Sequence, residues 1–350
     1  MSDLKYILAY IVPLMCVLGI ANGGKWLFVT PAVVFILVPL IELFMPSLQS
    51  NVAENVKDNK IKNRFFDIIL WLNVPIIYGI LFYGLYTFSV TAYAVYEIVG
   101  FVFSLGIVAG SNGINVAHEL GHRQETWERF LGKALLLPSH YMHFYIEHNY
   151  GHHLKAATPD DPATARYNEN LYAFWLRSVI GQYTGAWSIQ KRLNKANNTT
   201  LFGLKNDMLW YTILQVGYVV AVGFLFSWAT ALAAIAIGIV GFTLLEIINY
   251  LEHYGLLRAQ KNSGRYEVVR EVHSWNSNHA LGRILLYELT RHSDHHYRAN
   301  KKYQVLDYHQ QSPQLPYGYP TMMVIALLPP LWFGIVNKHV PPEMVTLGSD

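Results

Sequence analysis

The sequence predicts an all-α integral membrane protein: a bundle of six transmembrane helices with a histidine-rich helical cap. Three observations carry that prediction. Hydrophobic residues make up 53% of the 350-residue chain and charged residues only 14%, against about 25% charged in an average soluble domain. Apolar runs of roughly 20 residues, long enough to cross a hydrocarbon core of about 30 Å, recur along it. Nine of its 15 histidines fall into four short motifs.

The apolar runs lie at 4–21, 26–44, 66–87, 92–113, 208–227 and 230–251. A seventh, 321–336, is shorter and carries Pro329 and Pro330, which fits a re-entrant or surface-lying segment better than a span. The first run follows a single lysine and lacks a small-residue cleavage site, so it reads as a retained span and not as a signal peptide. Short gaps between spans one and two, three and four, and five and six hold almost no Lys or Arg. The loop after span two carries Lys57, Lys60, Lys62 and Arg64, and the long segment after span four carries Arg123, Arg129, Lys133, Lys155 and further basic residues. The positive-inside bias therefore puts the N-terminus, segments 114–207 and 252–350, and all four histidine motifs on the cytoplasmic side. On that side the Asn198-Thr199-Thr200 sequon has no meaning. Pro13, Pro31 and Pro39 are ordinary span prolines, and Glu42 and Glu97, near span ends, are expected to snorkel to the interface. No internal repeat or linker divides the chain, so residues 1–350 read as a single membrane-embedded domain.

A net charge of +3, dispersed along the chain and without a nucleic-acid motif, gives no reason to expect a nucleic-acid partner. The single cysteine, Cys16, rules out an intrachain disulfide, a four-thiolate zinc site and an iron–sulphur cluster held by this chain alone.

The chemistry resides in the histidines. HELGH sets His118 and His122 four apart, on one helix face; EHNYGHH sets His148 and His152 four apart with His153 adjacent; NYLEHYGL carries His253; RHSDHH carries His292, His295 and His296. Counted from Ala92 and Thr230 at the outer ends of spans four and six, His118 and His253 lie roughly 39 and 35 Å along unbroken helices, both just past the inner edge of the core. A lone histidine on an apolar face is usually a hydrogen-bonded structural residue, but nine in such motifs point to metal. Imidazole suits iron, copper, zinc and nickel alike. Nine ligands exceed the about four to six that one such ion takes, which implies two ions. Glu119, Glu147, Glu252 and Asp294, next to the histidines, suit the role of accepting a ring N–H and fixing its tautomer; solvated helix carboxylates are the plainer alternative.

HELGH also satisfies H-E-x-x-H, in which a zinc protease uses the Glu as general base. Such a site needs that pair and one more ligand, leaving six clustered histidines unexplained. A metal transporter would hold its ion near the midplane, commonly between repeated halves. These histidines lie at the membrane edge and no repeat is visible.

Taken together, HELGH at 118–122, EHNYGHH at 147–153, NYLEHYGL at 249–256 and RHSDHHYRANKKYQVL at 291–306 resemble, in order and spacing, the membrane-bound alkane 1-monooxygenase family. With the six spans, the resemblance covers most of the chain. NYLEHYGL and the Tyr303-Gln304 stretch set it apart from fatty-acid desaturases, which share only a looser histidine theme; xylene-type monooxygenases are the relatives most readily confused with it. The resemblance implies a non-haem di-iron centre held by His118, His122, His148, His152, His153, His253, His292, His295 and His296. It implies terminal hydroxylation of n-alkanes to 1-alkanols in the bacterial inner membrane, with electrons from rubredoxin, itself reduced by an NADH-dependent rubredoxin reductase. Methyl-aromatic or acyl-chain substrates are the alternatives. A site of that kind takes two electrons from outside per turnover, and the chain has no recognisable flavin, nicotinamide, haem or iron–sulphur site to supply them. Some relatives carry a fused C-terminal rubredoxin; residues 1–350 hold no cysteine pairs, so the donor is expected to be either a separate protein or a fused domain beyond these residues. The basic cytoplasmic residues would steer an acidic donor, although topology alone demands them as well. A site where helices leave the bilayer admits a substrate dissolved in lipid. His140, His143, His273, His279, His309 and His339 lie outside the matching positions and are expected to be structural or to support the site from behind its ligands.

Overall fold

The computed structural model describes residues 3–347, and its architecture is helical; among the described residues the only β pairings are isolated bridges such as Ser47 with His279. Six helices are long and apolar enough to cross a membrane: Asp3–Asn22, Gly24–Glu42, Phe65–Val90, Val95–Gly121, Asp207–Leu225 and Trp228–His253. Each coincides with an apolar run placed from the sequence. Their ends have local causes. Gly23 and Gly24, both at positive φ, make the tight turn between the first two spans, where a side chain would be strained. Glu97 accepts the Ala94 N–H at 2.7 Å, closing the first turn of the fourth span. Asn206 accepts the Leu209 N–H at 3.1 Å ahead of the fifth span, and Ser227 the Thr230 N–H at 3.1 Å ahead of the sixth.

The chain forms two compact units. The first comprises Met1–Val38, Asn63–Ile146 and Ala186–Leu245. Here the fourth and sixth spans approach closely through small residues. A Cβ on Gly106 would run into the Val240 side chain and come within 3.1 Å of the Ile237 carbonyl oxygen, and one on Gly110 would lie 3.1 Å from the Gly241 carbonyl oxygen. Buried polar contacts tie further spans together: Asn112 donates to Asn73 at 3.0 Å, and Ser104 to the Leu27 carbonyl at 2.6 Å. The fourth span widens into a π-helical turn at Ala109–Ile114 and then resumes as α-helix through Gly121. The helix therefore runs on far enough to carry His118, as the depth count from the sequence requires. Of the two span-end acids, Glu97 is half-buried at the turn it caps.

The second unit comprises Pro39–Lys62, Glu147–Gly185 and Glu246–Asp350. Its irregular C-terminal chain is held by buried side chains that saturate backbone groups. Arg291 donates to the carbonyls of Leu306 at 2.6 Å and Ser50 at 2.9 Å, and the Trp275 indole donates to the Tyr254 carbonyl at 2.8 Å. Glu42 does not snorkel as expected. It is 4% exposed and accepts the Gly282 N–H at 2.7 Å, because the first turn of the Ala280–Leu285 helix offers a carboxylate a better partner than the interface does. The seventh apolar run folds as two short helices, Tyr319–Ala326 and Pro329–Val336, broken where Pro329 cannot continue the first.

Candidate metal centre

In the second unit four chain segments deliver imidazoles to common points. His152 comes from a π-helical turn, His148–His152; His153 opens the turn that follows; His253 ends the sixth span; His292, His295 and His296 lie on the short helix His292–Tyr297. The nitrogens of His152, His253, His292 and His296 all lie within 4.8 Å of one another, and these residues are buried. Their Nε2 atoms meet in pairs, His152 with His296 at 3.1 Å and His292 with His253 at 3.2 Å. A second convergence joins His153 Nε2 to His148 Nε2 at 3.0 Å and to His295 Nε2 at 3.2 Å. Two nitrogens each about 2.1 Å from one ion and at right angles to each other lie about 3.0 Å apart, so these separations are those of neighbouring ligands on a shared metal. An all-imidazole donor set suits a first-row transition metal and not magnesium or calcium, which take oxygen.

The division cuts across the motifs. His152 goes to one group while His148 and His153 go to the other, and His295 parts from His292 and His296. The π-helical turn matters here, since its extra residue shifts the register of His148 relative to His152. In the first unit His118 and His122 stand together at the end of the fourth-span helix, ring centroids 5.1 Å apart, with His122 at the helix cap.

Of the four acids beside the motifs, Glu252 lies 3.1 Å from His292 Nε2 and accepts the Tyr319 hydroxyl at 2.9 Å. Glu119 pairs with Arg123 at 3.0 Å. Glu147 is buried with no hydrogen bond to its Oε2 among the described residues, and burial together with the Asp161 charge pushes it up to about 8. The Asp294 carboxylate accepts from Lys301 at 2.6 Å and the Asp307 N–H at 2.7 Å and lies 2.7 Å from His309 Nε2. Adjacency on a helix turns a side chain about 100° from its neighbour, so standing next to His295 in sequence does not by itself bring Asp294 to the same side of the helix.

The carboxylate that meets a motif histidine at its far nitrogen lies outside the motifs and beyond what their spacing predicts. Asp161, 1% exposed, lies 2.9 Å from His152 Nδ1. Thr164 donates to the same oxygen at 2.6 Å, and the Ala163 N–H to the other at 3.2 Å. Burial disfavours charge on both partners, yet their mutual attraction outweighs it, holding Asp161 below and His152 above the ordinary range. The turn-forming run Thr158-Pro159-Asp160-Asp161-Pro162, nine residues past His152, was the signal that could have pointed there. Of the six histidines outside the motifs, His143 is buried against the Tyr141 ring at 4.2 Å, and burial lowers it to about 3; it packs as a neutral structural residue, and His309 serves Asp294.

Six apolar helices and clustered imidazoles are the marks of a multi-pass membrane protein with a metal-binding site. The family model described as fatty acid desaturase matches residues 94–326, a stretch that contains all nine motif histidines. The chain is 34% identical to alkane 1-monooxygenase 2 of Alcanivorax borkumensis over 95% of its own length and 88% of that protein's. It is 38% identical to alkane 1-monooxygenase 1 of the same organism over 87% and 75%. With the xylene/toluene monooxygenase hydroxylase component XylM of Pseudomonas putida it shares 26% identity over 97% and 89%. The chain belongs to the alkane 1-monooxygenase family and is a monooxygenase, an oxidoreductase that places one oxygen atom of O2 in its product. The protease and transporter readings of HELGH fall with that membership.

Proposed function

We propose that this protein hydroxylates the terminal carbon of n-alkanes, converting RH, O2, two electrons and two protons to a 1-alkanol and water. The carrying observation is the convergence of imidazole nitrogens at two points of the second unit. Its support is the similarity to relatives that are alkane 1-monooxygenases. The metal is a pair of irons, held by His118, His122, His148, His152, His153, His253, His292, His295 and His296, and when bound it supplies the activation of O2. The resemblance in motif order and spacing brings in His118 and His122. The whole chain works as one catalytic domain in the bacterial inner membrane with the site facing the cytoplasm, an orientation resting on the basic loops.

The chain's own residues have three tasks. Asp161 keeps the proton of His152 on Nδ1, which leaves Nε2 as the ligand atom; Glu252 reaches His292 at Nε2, the nitrogen that faces the metal, and so stands beside the metal and not behind its ligand. Burial of the rings excludes water, so that reducing equivalents are spent on substrate. The apolar helices admit an alkane from the lipid. Rubredoxin, recharged by an NADH-dependent reductase, is the donor, because one cysteine cannot hold an iron–sulphur carrier.

A second reading has one specific support, the XylM relative, which points to methyl-aromatics; acyl chains, after the desaturase family model, form a third arm. Purified protein in lipid nanodiscs with iron, rubredoxin, reductase and NADH is given linear alkanes of graded length, toluene, xylene and acyl substrates. Terminal alkanols and two irons per chain are the expected result. Products from the aromatics alone, zinc as the sole metal, or full turnover with NADH and no added carrier would each overturn the corresponding part.

A further inference from the structure

The stretch Tyr319–Val336 contains no charged residue. Each of its two eight-residue helices is about 12 Å long, too short to cross a bilayer. One side of this hairpin is covered: Trp332 is fully buried, its ring centroid 4.9 Å from Tyr250 and 5.3 Å from Tyr254. The other side is bare, with Leu327 43%, Leu328 55% and Leu331 45% exposed. Beside it runs the first half of the helix Leu171–Ala196, whose Tyr172, Leu176 and Ile180, spaced four apart on one face, are 59%, 57% and 56% exposed. The two surfaces are joined, since the Tyr172 hydroxyl donates to the Leu327 carbonyl at 2.8 Å.

We propose that this patch is a bilayer-inserting surface by which the histidine-bearing unit sits on the membrane, independently of the six spans. Depth fixes the occupant. Tyr250, on which Trp332 packs, stands 22 residues along the helix from Trp228, the start of the last span. That is roughly 33 Å, the point at which a helix leaves a core of about 30 Å. The hairpin is thereby held at the boundary between acyl chains and headgroups. Lys338, exposed just beyond the second helix, suits the phosphates of that boundary. An apolar patch left in water would drive aggregation; in this place the lipid covers it.

The test uses the full-length protein in nanodiscs of phosphatidylethanolamine and phosphatidylglycerol. In a Cys16→Ser background, Leu328→Cys and, separately, Leu176→Cys carry a polarity-sensitive dye, with Ser263→Cys in an exposed loop as the aqueous reference. The dye at 328 and 176 is expected to emit blue-shifted light, resist aqueous iodide, and lose emission when the lipids carry bromine about 5–10 Å below the headgroups. Emission and iodide quenching equal to those at 263 would overturn the proposal. So would shielding from iodide without quenching by brominated lipid, which would assign the patch to a protein contact, including one with a second copy of this chain. Two labelled positions on different helices keep the test intact if one variant fails to fold.

Discussion

Replacing Asp161 by Asn is the sharpest perturbation of the proposed centre, because it keeps the volume of the side chain and removes its charge. The carboxylate serves donors on both oxygens: His152 Nδ1 at 2.9 Å and Thr164 Oγ1 at 2.6 Å on one, the Ala163 N–H at 3.2 Å on the other. An amide supplies a single acceptor oxygen, so whichever way the substituted side chain turns, its NH2 faces a donor. If the oxygen stays with His152, the hydrogen bond survives without its charge; if it turns, His152 loses its partner and its preferred tautomer with it. A hydrogen bond to a charged group contributes about 1.5–3 kcal/mol, and about 1.4 kcal/mol is a factor of ten. Iron affinity is therefore expected to fall by about 10- to 100-fold, the usual effect of removing a carboxylate behind a metal-bound histidine. Chelator competition followed by elemental analysis measures it, and the Mössbauer spectrum supplies an independent readout in which one iron of the pair should change environment. Variant protein that binds two irons within about twofold of the wild-type affinity, with an unaltered spectrum, would refute the positioning of His152 by Asp161.

Three further outcomes follow from the geometry. His295→Ala and His153→Ala each open the same convergence of nitrogens, and both variants are expected to insert into the membrane yet lose hydroxylation and hold fewer than two irons per chain; full activity from either would remove that residue from the site. His143, lowered to about 3 by burial, stays neutral in the fold while the unfolded chain takes up a proton near its ordinary value of 6.5. Its contribution to stability is thus complete above about 6.5 and lost progressively as pH falls toward about 3, at up to about 1.4 kcal/mol per pH unit. Thermal unfolding of His143→Phe in nanodiscs between pH 7.5 and 5 should lack that share of the acid sensitivity, and curves parallel to the wild type would contradict the assignment. Gly106→Val forces side-chain atoms against Val240 and the Ile237 carbonyl, which should destabilise the bundle by about 1–3 kcal/mol; an unchanged unfolding temperature would mean that the fourth and sixth spans are not so closely packed.

The sequence by itself determined what depends on composition along the chain. A membrane-spanning helix satisfies its own backbone, so each span is legible as an unbroken apolar run whatever its neighbours, and all six appeared where expected. The nine motif histidines were legible for the same reason, since their spacing within each motif is a local property. Only the tertiary structure decided how imidazoles four apart in sequence are shared out, sending His148 and His152 to different groups through a π-helical turn. It also decided which acids meet them: Asp161, from a turn outside the motifs, reaches His152, while Asp294, lying between motif histidines, reaches His309. The same holds for Glu42, drawn inward by the Gly282 N–H, 240 positions further along the chain. A hydrogen bond is set by where two groups end up in space, and packing between remote segments settles that; hydropathy and helical periodicity report only a residue's face and depth.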